Sequence, residues 1–273
     1  MSFKKKMAKS TSFPESRLPS SYQMIGGIMM LKLPKLDENE KQHLAKKILE
    51  EFPYVRTVCE IAGISGELRE PSVHKILGGD MTTIHKENGL LYKIDVSKIM
   101  FSKGNLSERK RIIHQVKSGE HIVDMFAGIG YFSLGLAKFS NAGSILAIEK
   151  NPKAYNLLVD NISLNKLSNI NAIQGDCKIA AKSLHNSADR VLMGYFPQTE
   201  YFLPAAIFML KKHGILHFHN IYNKGDLWSK PLSHLEEICN GMNCSFGIAE
   251  KKKVKSYSPN VYHVVMDIDV SKQ

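Results

Sequence analysis

The chain has 273 residues, 43% of them hydrophobic and 23% charged, which are the proportions of an ordinary globular protein and exclude a chain that is disordered throughout. No apolar run reaches membrane-spanning length and no signal-peptide core lies near the N-terminus, so we expect a cytoplasmic protein without a membrane partner. Lysine and arginine number 37 against 26 acids, and the net charge of +11 favours a phosphate polyanion as partner, although solubility alone would also explain it. The four cysteines form no C-x-x-C pair, which argues against a zinc ribbon or a disulfide framework.

The first 98 residues predict a basic tail and a small α+β domain. Residues 1–21 hold a run of three lysines among serine, threonine and proline, with almost nothing to bury, so we expect a disordered tail. A solvated extension without a specific role is its simplest interpretation. Residues 22–98 predict a strand, a helix, a second strand and a hairpin, at 28–31, 38–52, 55–61 and 82–96. This domain contains no catalytic constellation, so we assign it to substrate placement.

A basic connector begins the second domain, which we expect to span residues 99–273. Its cations stand against one acid, Glu108, in a segment with a helix-start pattern. A solvated helix face is one interpretation. In the functional interpretation, Arg109 turns inward to a carboxylate while other cations, among them Lys110 and Arg111, meet phosphate.

The stretch from His121 to Lys138 predicts a strand, a tight glycine turn and a helix. An apolar run ends in Asp124, Gly128 and Gly130 follow, and the next apolar residues have helical spacing. Bulky residues after Gly130 argue against a dinucleotide fingerprint, and a Walker loop would need Gly-Lys-Ser/Thr. Asp124 discourages a polyphosphate but suits a ligand that carries an ammonium and hydroxyls, as S-adenosylmethionine does.

Strands and helices continue to alternate through the rest of the chain, which predicts a doubly wound, largely parallel α/β sheet. Glu149 follows the second strand of this series and Asp176 the third, so both would meet Asp124 at the edge where parallel strands end. Glu149 can accept from ribose hydroxyls and Asp176 from the adenine amine. Three acids that follow three successive strands, together with the glycine turn, predict an S-adenosylmethionine site.

Two histidines, His217 and His219, lie two apart on a predicted strand and therefore share a face. A metal pair would need a third ligand that the pattern does not supply, so we expect no metal. Substrate contact or simple packing is the expected role of these side chains.

Three segments resemble one group of enzymes. Residues 124–130 (DMFAGIG), residues 149–152 (EKNP), and Phe101-Ser102 followed by Glu108-Arg109 are similar to class I enzymes that modify the guanosine next to the anticodon of tRNA. The resemblance covers about residues 24–270 and implies a Rossmann-like, S-adenosylmethionine-dependent transferase. Carried over by position, the cofactor contacts of the family fall on Ser102, Arg109, Glu149, Asp176 and Cys177.

Two branches share these motifs, the tRNA guanine-N1 methyltransferases and the wybutosine-synthesising protein 2 aminocarboxypropyltransferases. The methyltransferases carry Asn-Leu-Pro or Asn-Pro-Pro after the fourth strand, whereas residues 193–195 here are Met-Gly-Tyr, similar to the second branch. That resemblance implies transfer of the 3-amino-3-carboxypropyl group to 4-demethylwyosine in tRNA-Phe. Guanine-N1 methylation is the alternative, and a non-catalytic RNA-binding role is a third hypothesis. Lys103, Asn260 and Tyr262 depart from the branch at loops and a probable sheet edge.

The resemblance also implies roles for individual side chains. Ser102 and Arg109 would hold the methionyl carboxylate, since a guanidinium can bind a carboxylate through two parallel hydrogen bonds. Residues expected near the RNA substrate are Lys110, Arg111, Tyr195, His217 and His219. No general acid is needed, because the leaving group is a neutral thioether. The carbon nucleophile mainly needs positioning and, later, loss of a proton, so no general base is assigned. No obligate protein partner is expected.

Overall fold

The computed structural model describes residues 2–66, 68–101 and 105–273, and the chain divides into an N-terminal unit, residues 1–102, and a C-terminal unit, residues 103–273. The expected boundary between residues 98 and 99 lies four residues before this division. Among the described residues, no helix is both long and apolar enough to cross a bilayer.

The N-terminal unit contains a four-stranded sheet in the order β1-β2-β3-β4 and a separate hairpin, β5 with β6. Asp37 starts the main helix with a capping box: its carboxylate accepts from the N–H of Glu40 at 2.9 Å, and the Glu40 carboxylate accepts from the N–H of Asp37 at 3.0 Å. The elements are α1 (Phe3–Thr11), β1 (Tyr22–Ile25), β2 (Ile28–Leu31), α2 (Glu38–Glu51), β3 (Thr57–Ser65), β4 (Glu70–Gly78), β5 (Thr82–Glu87) and β6 (Leu90–Asp95). The sequence did not predict β1 and β4.

The prediction of a disordered tail at residues 1–21 is wrong for the segment that forms α1. Phe3, Met7 and Thr11 recur at four-residue spacing, and Met7 and Thr11 are buried. The Lys6 ammonium also forms an ion pair of 3.0 Å with Glu51 on α2. The composition of this segment, which is rich in lysine, predicted disorder, but it did not reveal the short apolar stripe that docks the helix.

The C-terminal unit is built on a seven-stranded sheet in the order β12-β13-β11-β10-β7-β8-β9. The five adjacent strands β11, β10, β7, β8 and β9 are parallel to one another. Strand β13 runs antiparallel to both of its neighbours, β11 and β12. Its strands are β7 (His121–Asp124), β8 (Ser144–Glu149), β9 (Ile170–Gln174), β10 (Ala188–Met193), β11 (Leu210–Asn223), β12 (Cys244–Ser258) and β13 (Val261–Lys272). Its helices are α3 (Leu106–Gln115), α4 (Ser133–Phe139), α5 (Pro152–Leu164), α6 (Cys177–Ala181), α7 (Leu203–Met209) and α8 (Ser229–Gly241). The predicted doubly wound α/β sheet is confirmed.

One edge of this sheet gathers the predicted site residues. We call it the carboxyl edge, because the parallel strands β7, β8, β9, β10 and β11 all end there. A buried core that includes Val123, Val191, Leu216 and Phe218 fixes the strands beneath this edge. A ligand at the carboxyl edge would therefore meet loops that are held on a packed scaffold.

Candidate cofactor and substrate site

The glycine turn after β7 adopts a backbone that side chains would obstruct. Gly128 has φ +57°, and a Cβ there would lie 2.7 Å from the Tyr131 ring. Gly130 has φ +97°, and a Cβ there would lie 2.5 Å from Leu134. Both glycines are required by conformation and by space, because any side chain there would collide with the residues packed around the turn.

Glu149 joins the end of β8 to this turn. Its Oε2 accepts from the N–H of Gly128 at 2.7 Å, and its Oε1 accepts from the N–H of Asn151 at 2.7 Å. Burial raises the pKa of Glu149, and the backbone N–H donors oppose that rise. A carboxylate oxygen can accept more than one hydrogen bond, so Glu149 retains capacity for ligand hydroxyls.

Asp124 is fully buried at the end of β7 and supports the turn from below. It accepts from the Ser133 hydroxyl at 2.6 Å and from the N–H of Phe126 at 3.3 Å. Burial raises the pKa of Asp124 to about 6, against the opposing effect of its bond from Ser133. The structure therefore gives Asp124 a supporting role, whereas its predicted direct contact with the cofactor stays a prediction.

Asp176 and Cys177 lie just after β9. The Asp176 carboxylate caps α6 by accepting from the N–H of Lys178 at 2.9 Å, and it forms an ion pair of 3.2 Å with Lys150. Burial acts to raise the pKa of Asp176, but Lys178 and Lys150 outweigh it and lower that pKa. Burial raises the pKa of the Cys177 thiol to about 12, so this thiol is neutral at physiological pH, and its predicted contact with the cofactor stays a prediction.

Arg109 on α3 is almost fully buried and reaches the glycine turn. Its guanidinium lies over the Tyr131 ring, 4.9 Å from the ring centroid. That position, beside the residue that follows Gly130, agrees with the predicted inward orientation. Ser102, its predicted partner in holding a carboxylate, lies outside the described residues.

The structure contradicts the prediction that Arg111 meets RNA phosphate. Arg111 donates to Glu108 at 2.6 and 2.9 Å, to Glu250 at 2.6 Å, and to both carboxylate oxygens of Asp267. Burial acts to lower the pKa of Arg111, but these acids, Asp267 first, raise it. The side chain ties α3 to β12 and β13 and is not available to phosphate. Lys110, its neighbour, is exposed.

His217 belongs to the same buried polar network, and its tautomer follows from its partners. Arg190, a donor only, lies 2.6 Å from the Nε2 of His217, so Nε2 must accept. The Nδ1–H then donates to Asp267 at 2.7 Å. Arg190 also donates to Glu120 at 2.7 and 3.0 Å. Burial lowers the pKa of His217, which agrees with a neutral ring.

His219 is also buried and faces other rings. Its Nδ1 lies 3.1 Å from the Nε2 of His263, and its ring centroid lies 5.5 Å from that of Phe132. Burial, followed by the nearby His217, lowers the pKa of His219 to about 3. Of the two roles expected for these histidines, packing describes both His217 and His219, and the structure places neither at an exposed substrate surface.

Tyr195 contributes to an aromatic group at the carboxyl edge. Its ring stacks on Phe126 of the glycine turn, with centroids 5.0 Å apart, and meets Phe202 edge-on at 6.1 Å. The preceding residue, Gly194, is packed closely, because a Cβ there would lie 2.9 Å from the Phe132 ring. The loop after β10 thus places an aromatic ring next to the glycine turn. Residue 194, as a glycine, adds no polar side chain there.

Sequence reasoning missed the acidic partners of the buried network, Asp267 and Glu120, and the buried Arg190. A signal was present, since Arg190 and Asp267 each interrupt an apolar strand. A charge in such a position must be paired after folding. Which residues form the pair depends on strand order, and the sequence pattern alone did not give that order.

Comparison with known proteins identifies the family of this fold and site. The sequence matches the TRM5/TYW2 methyltransferase domain over residues 83–246 and the TYW2 N-terminal domain over residues 5–82. A tRNA(Phe) (4-demethylwyosine(37)-C(7)) aminocarboxypropyltransferase of Methanocaldococcus jannaschii is 40% identical over 251 residues, which cover 90% of this chain and 96% of that protein. The tRNA (guanine(37)-N(1))-methyltransferase Trm5b of Pyrococcus abyssi is 32% identical over 256 residues, which cover 93% of this chain and 76% of that protein.

A solved structure extends the likeness to three dimensions. The crystal structure of M. jannaschii TYW2 in complex with AdoMet superposes with a TM-score of 0.76 and 34% sequence identity, covering 93% of this chain and 100% of that one. The two matched family models, the relative from M. jannaschii and its solved fold all indicate the same family. The chain belongs to the TRM5/TYW2 family.

Proposed function

We propose that this protein transfers the 3-amino-3-carboxypropyl group of S-adenosylmethionine (AdoMet) to 4-demethylwyosine in tRNA-Phe. The observation that carries the choice between the two branches is the loop after β10. There the chain has Gly194-Tyr195, with Gly194 packed against Phe132 and Tyr195 stacked on Phe126, where methyltransferases carry Asn-Leu-Pro or Asn-Pro-Pro. The substrate is a tRNA; tRNA-Phe and a cytoplasmic location are part of the proposal.

The residues at the carboxyl edge fit AdoMet. Gly128 and Gly130 give the turn a tight conformation that a Cβ at either position would obstruct. Glu149 would accept from the ribose hydroxyls while it keeps its bonds from the turn. Asp176, partly exposed at the start of α6, would accept from the adenine amine. When bound, AdoMet supplies a sulfonium with three electrophilic carbons, so its pose decides which group moves.

Arg109 would determine that pose together with Ser102. Its guanidinium lies over the Tyr131 ring. From there it would bind the methionyl carboxylate and keep the aminocarboxypropyl chain directed at the acceptor. The rings of Phe126, Tyr195 and Phe202 would exclude water and support the flat acceptor base. The N-terminal unit would place the rest of the tRNA. Because the thioether leaves without a proton, the chain needs positioning more than acid catalysis.

A two-label experiment tests the proposal. The protein is incubated with AdoMet labelled in the carboxyl carbon or in the methyl group, and with tRNA-Phe that carries either 4-demethylwyosine or unmodified guanosine. Carboxyl label should enter only the 4-demethylwyosine tRNA, while methyl label stays in the small-molecule product. Methyl label in the guanosine tRNA would overturn the proposal and favour guanine-N1 methylation.

A further inference from the structure

A strip of lysines lies on the outermost strand of the sheet. Lys251, Lys252, Lys253 and Lys255, here called the lysine strip, occupy β12, which pairs on one side with β13 and forms the edge of the sheet. Lys251 and Lys253 are exposed. Since Arg111 is held by acids, the strip is a candidate for phosphate contacts in addition to those predicted for the connector.

The ammonium groups of the two exposed lysines, Lys251 and Lys253, lie over aromatic rings. Lys251 and Lys253 pair across the sheet with Met266 and Val264, so both point to the same face. The Nζ of Lys251 lies 5.8 Å from the ring centroid of Trp228. The Nζ of Lys253 lies 4.9 Å from that of Tyr262. These cation–π contacts restrict the flexible lysine side chains but leave their charge exposed to a partner.

The acid beside the strip is already engaged. Glu250 is the one acidic residue in the sequence from 244 to 260. Its carboxylate accepts from Arg111 at 2.6 Å. Glu250 pairs with Asp267, on the face opposite to Lys251 and Lys253. On the face of Lys251 and Lys253, β12 therefore carries no acid.

The strip leads toward the proposed active site. β12 runs antiparallel to β13 and therefore parallel to β11, so its final residues lie at the carboxyl edge. Tyr257, 49% exposed, lies there, and its ring meets Phe196 edge-on at 5.9 Å. Phe196 in turn packs on His263, with ring centroids 4.5 Å apart, so Tyr257 lies on the face of β12 opposite to Lys251 and Lys253. Phe196 directly follows Tyr195. At about 3.4 Å per residue, Lys251 to Tyr257 spans about 20 Å along the strand.

We propose that Lys251, Lys253 and Tyr257 form a docking surface for RNA that crosses the outer edge of β12, in which the two lysines contact backbone phosphates and Tyr257 stacks on a base near the acceptor. The inference rests on the proposed function for the identity of the RNA, the substrate tRNA. Lysines on an edge strand also prevent unwanted strand pairing, but that role requires neither the cation–π contacts nor an exposed ring at the end of the strip. Phosphate contact and base stacking together explain the exposed lysines, the rings that they contact and the exposed Tyr257 ring.

The test measures tRNA affinity as a function of salt for the full chain. Lys251→Gln/Lys253→Gln should weaken binding at least fivefold at moderate salt. It should reduce the slope of log affinity against log salt by about 1.4 to 1.8, since each phosphate contact contributes roughly 0.7 to 0.9. Lys251→Arg/Lys253→Arg keeps both charges and should keep the slope. The matched control, Lys182→Gln/Lys212→Gln, removes two exposed charges elsewhere and should leave the slope unchanged.

Tyr257→Leu separates stacking from charge. It should weaken tRNA binding without changing the salt slope, because stacking releases no counterions. AdoMet affinity, measured for every variant, should equal that of the unaltered protein and verifies folding. A wild-type slope in Lys251→Gln/Lys253→Gln, or an equal loss in the control pair, overturns the docking surface. Either result is independent of the two-label experiment, in which methyl transfer by the unaltered protein would instead reject the proposed function.

Discussion

Glu149 accepts a hydrogen bond of 2.7 Å from the backbone N–H of Gly128, so one carboxylate holds the end of β8 against the glycine turn that follows β7. The acid that is proposed to bind the ribose is thus also a support of the turn beneath the ligand. Its effect on binding combines a direct contact with preorganisation of the turn.

Glu149→Gln should weaken AdoMet binding. The amide keeps one acceptor oxygen but loses the charge, and a hydrogen bond to a charged group contributes on the order of 1.5 to 3 kcal/mol. We expect a 10-fold to 150-fold rise in Kd by titration calorimetry, whereas Glu237→Gln on the exposed face of α8 should bind normally. An unchanged Kd in Glu149→Gln would remove this residue from the site.

Arg111→Leu should destabilise the fold rather than weaken RNA contacts. The substitution leaves Glu108 and Asp267 buried without their cation, which typically costs about 3 to 5 kcal/mol. Urea unfolding gives the loss, and the double variant Arg111→Leu/Asp267→Leu should lose less than the sum of the two single variants. Additive losses would show that the pair is not coupled in solution.

Lys110→Gln should give the opposite result. This neighbour of Arg111 is exposed, so stability should change little, while the salt slope of tRNA binding should fall by about one unit if Lys110 contacts a phosphate. Lys212→Gln, at the opposite end of the sheet, serves as the control. If the slope of Lys110→Gln equals that of the unaltered protein, the connector is a solvated helix face.

His219 should make the protein sensitive to acid. Its pKa is lowered to about 3 by burial, so below the ordinary histidine value of about 6.5 the unfolded chain binds a proton that the folded chain refuses. The contribution of His219 to the free energy of unfolding is therefore fully present above pH 6.5. As the pH falls from 6.5 to about 3, this contribution decreases by about 1.4 kcal/mol for each unit of pH. His219→Phe should reduce this dependence in urea unfolding at pH 6.5, 5.5 and 4.5. Parallel curves for His219→Phe and the unaltered protein would contradict the prediction.

Residues whose role depends on local pattern were predictable from the sequence. The turn at Gly128 and Gly130 and the acid Glu149 follow from strand ends and glycine spacing, and the structure brings them together. The order of the strands follows from no such local pattern. It places Asp267 opposite His217 and within reach of Arg111, although these residues are far apart in sequence. Composition misled at α1, where a few apolar side chains among lysines were sufficient for a docked helix.

The close approach of Gly194 to Phe132 restricts how this protein can change. Any side chain at position 194 would collide with the Phe132 ring, and that ring is itself packed beside His219. Substitutions at 132 and 194 should therefore be epistatic: a side chain at 194 is tolerated only after residue 132 has become smaller. An evolutionary or engineered route that places a polar side chain at position 194 must therefore first change Phe132, the residue that precedes α4.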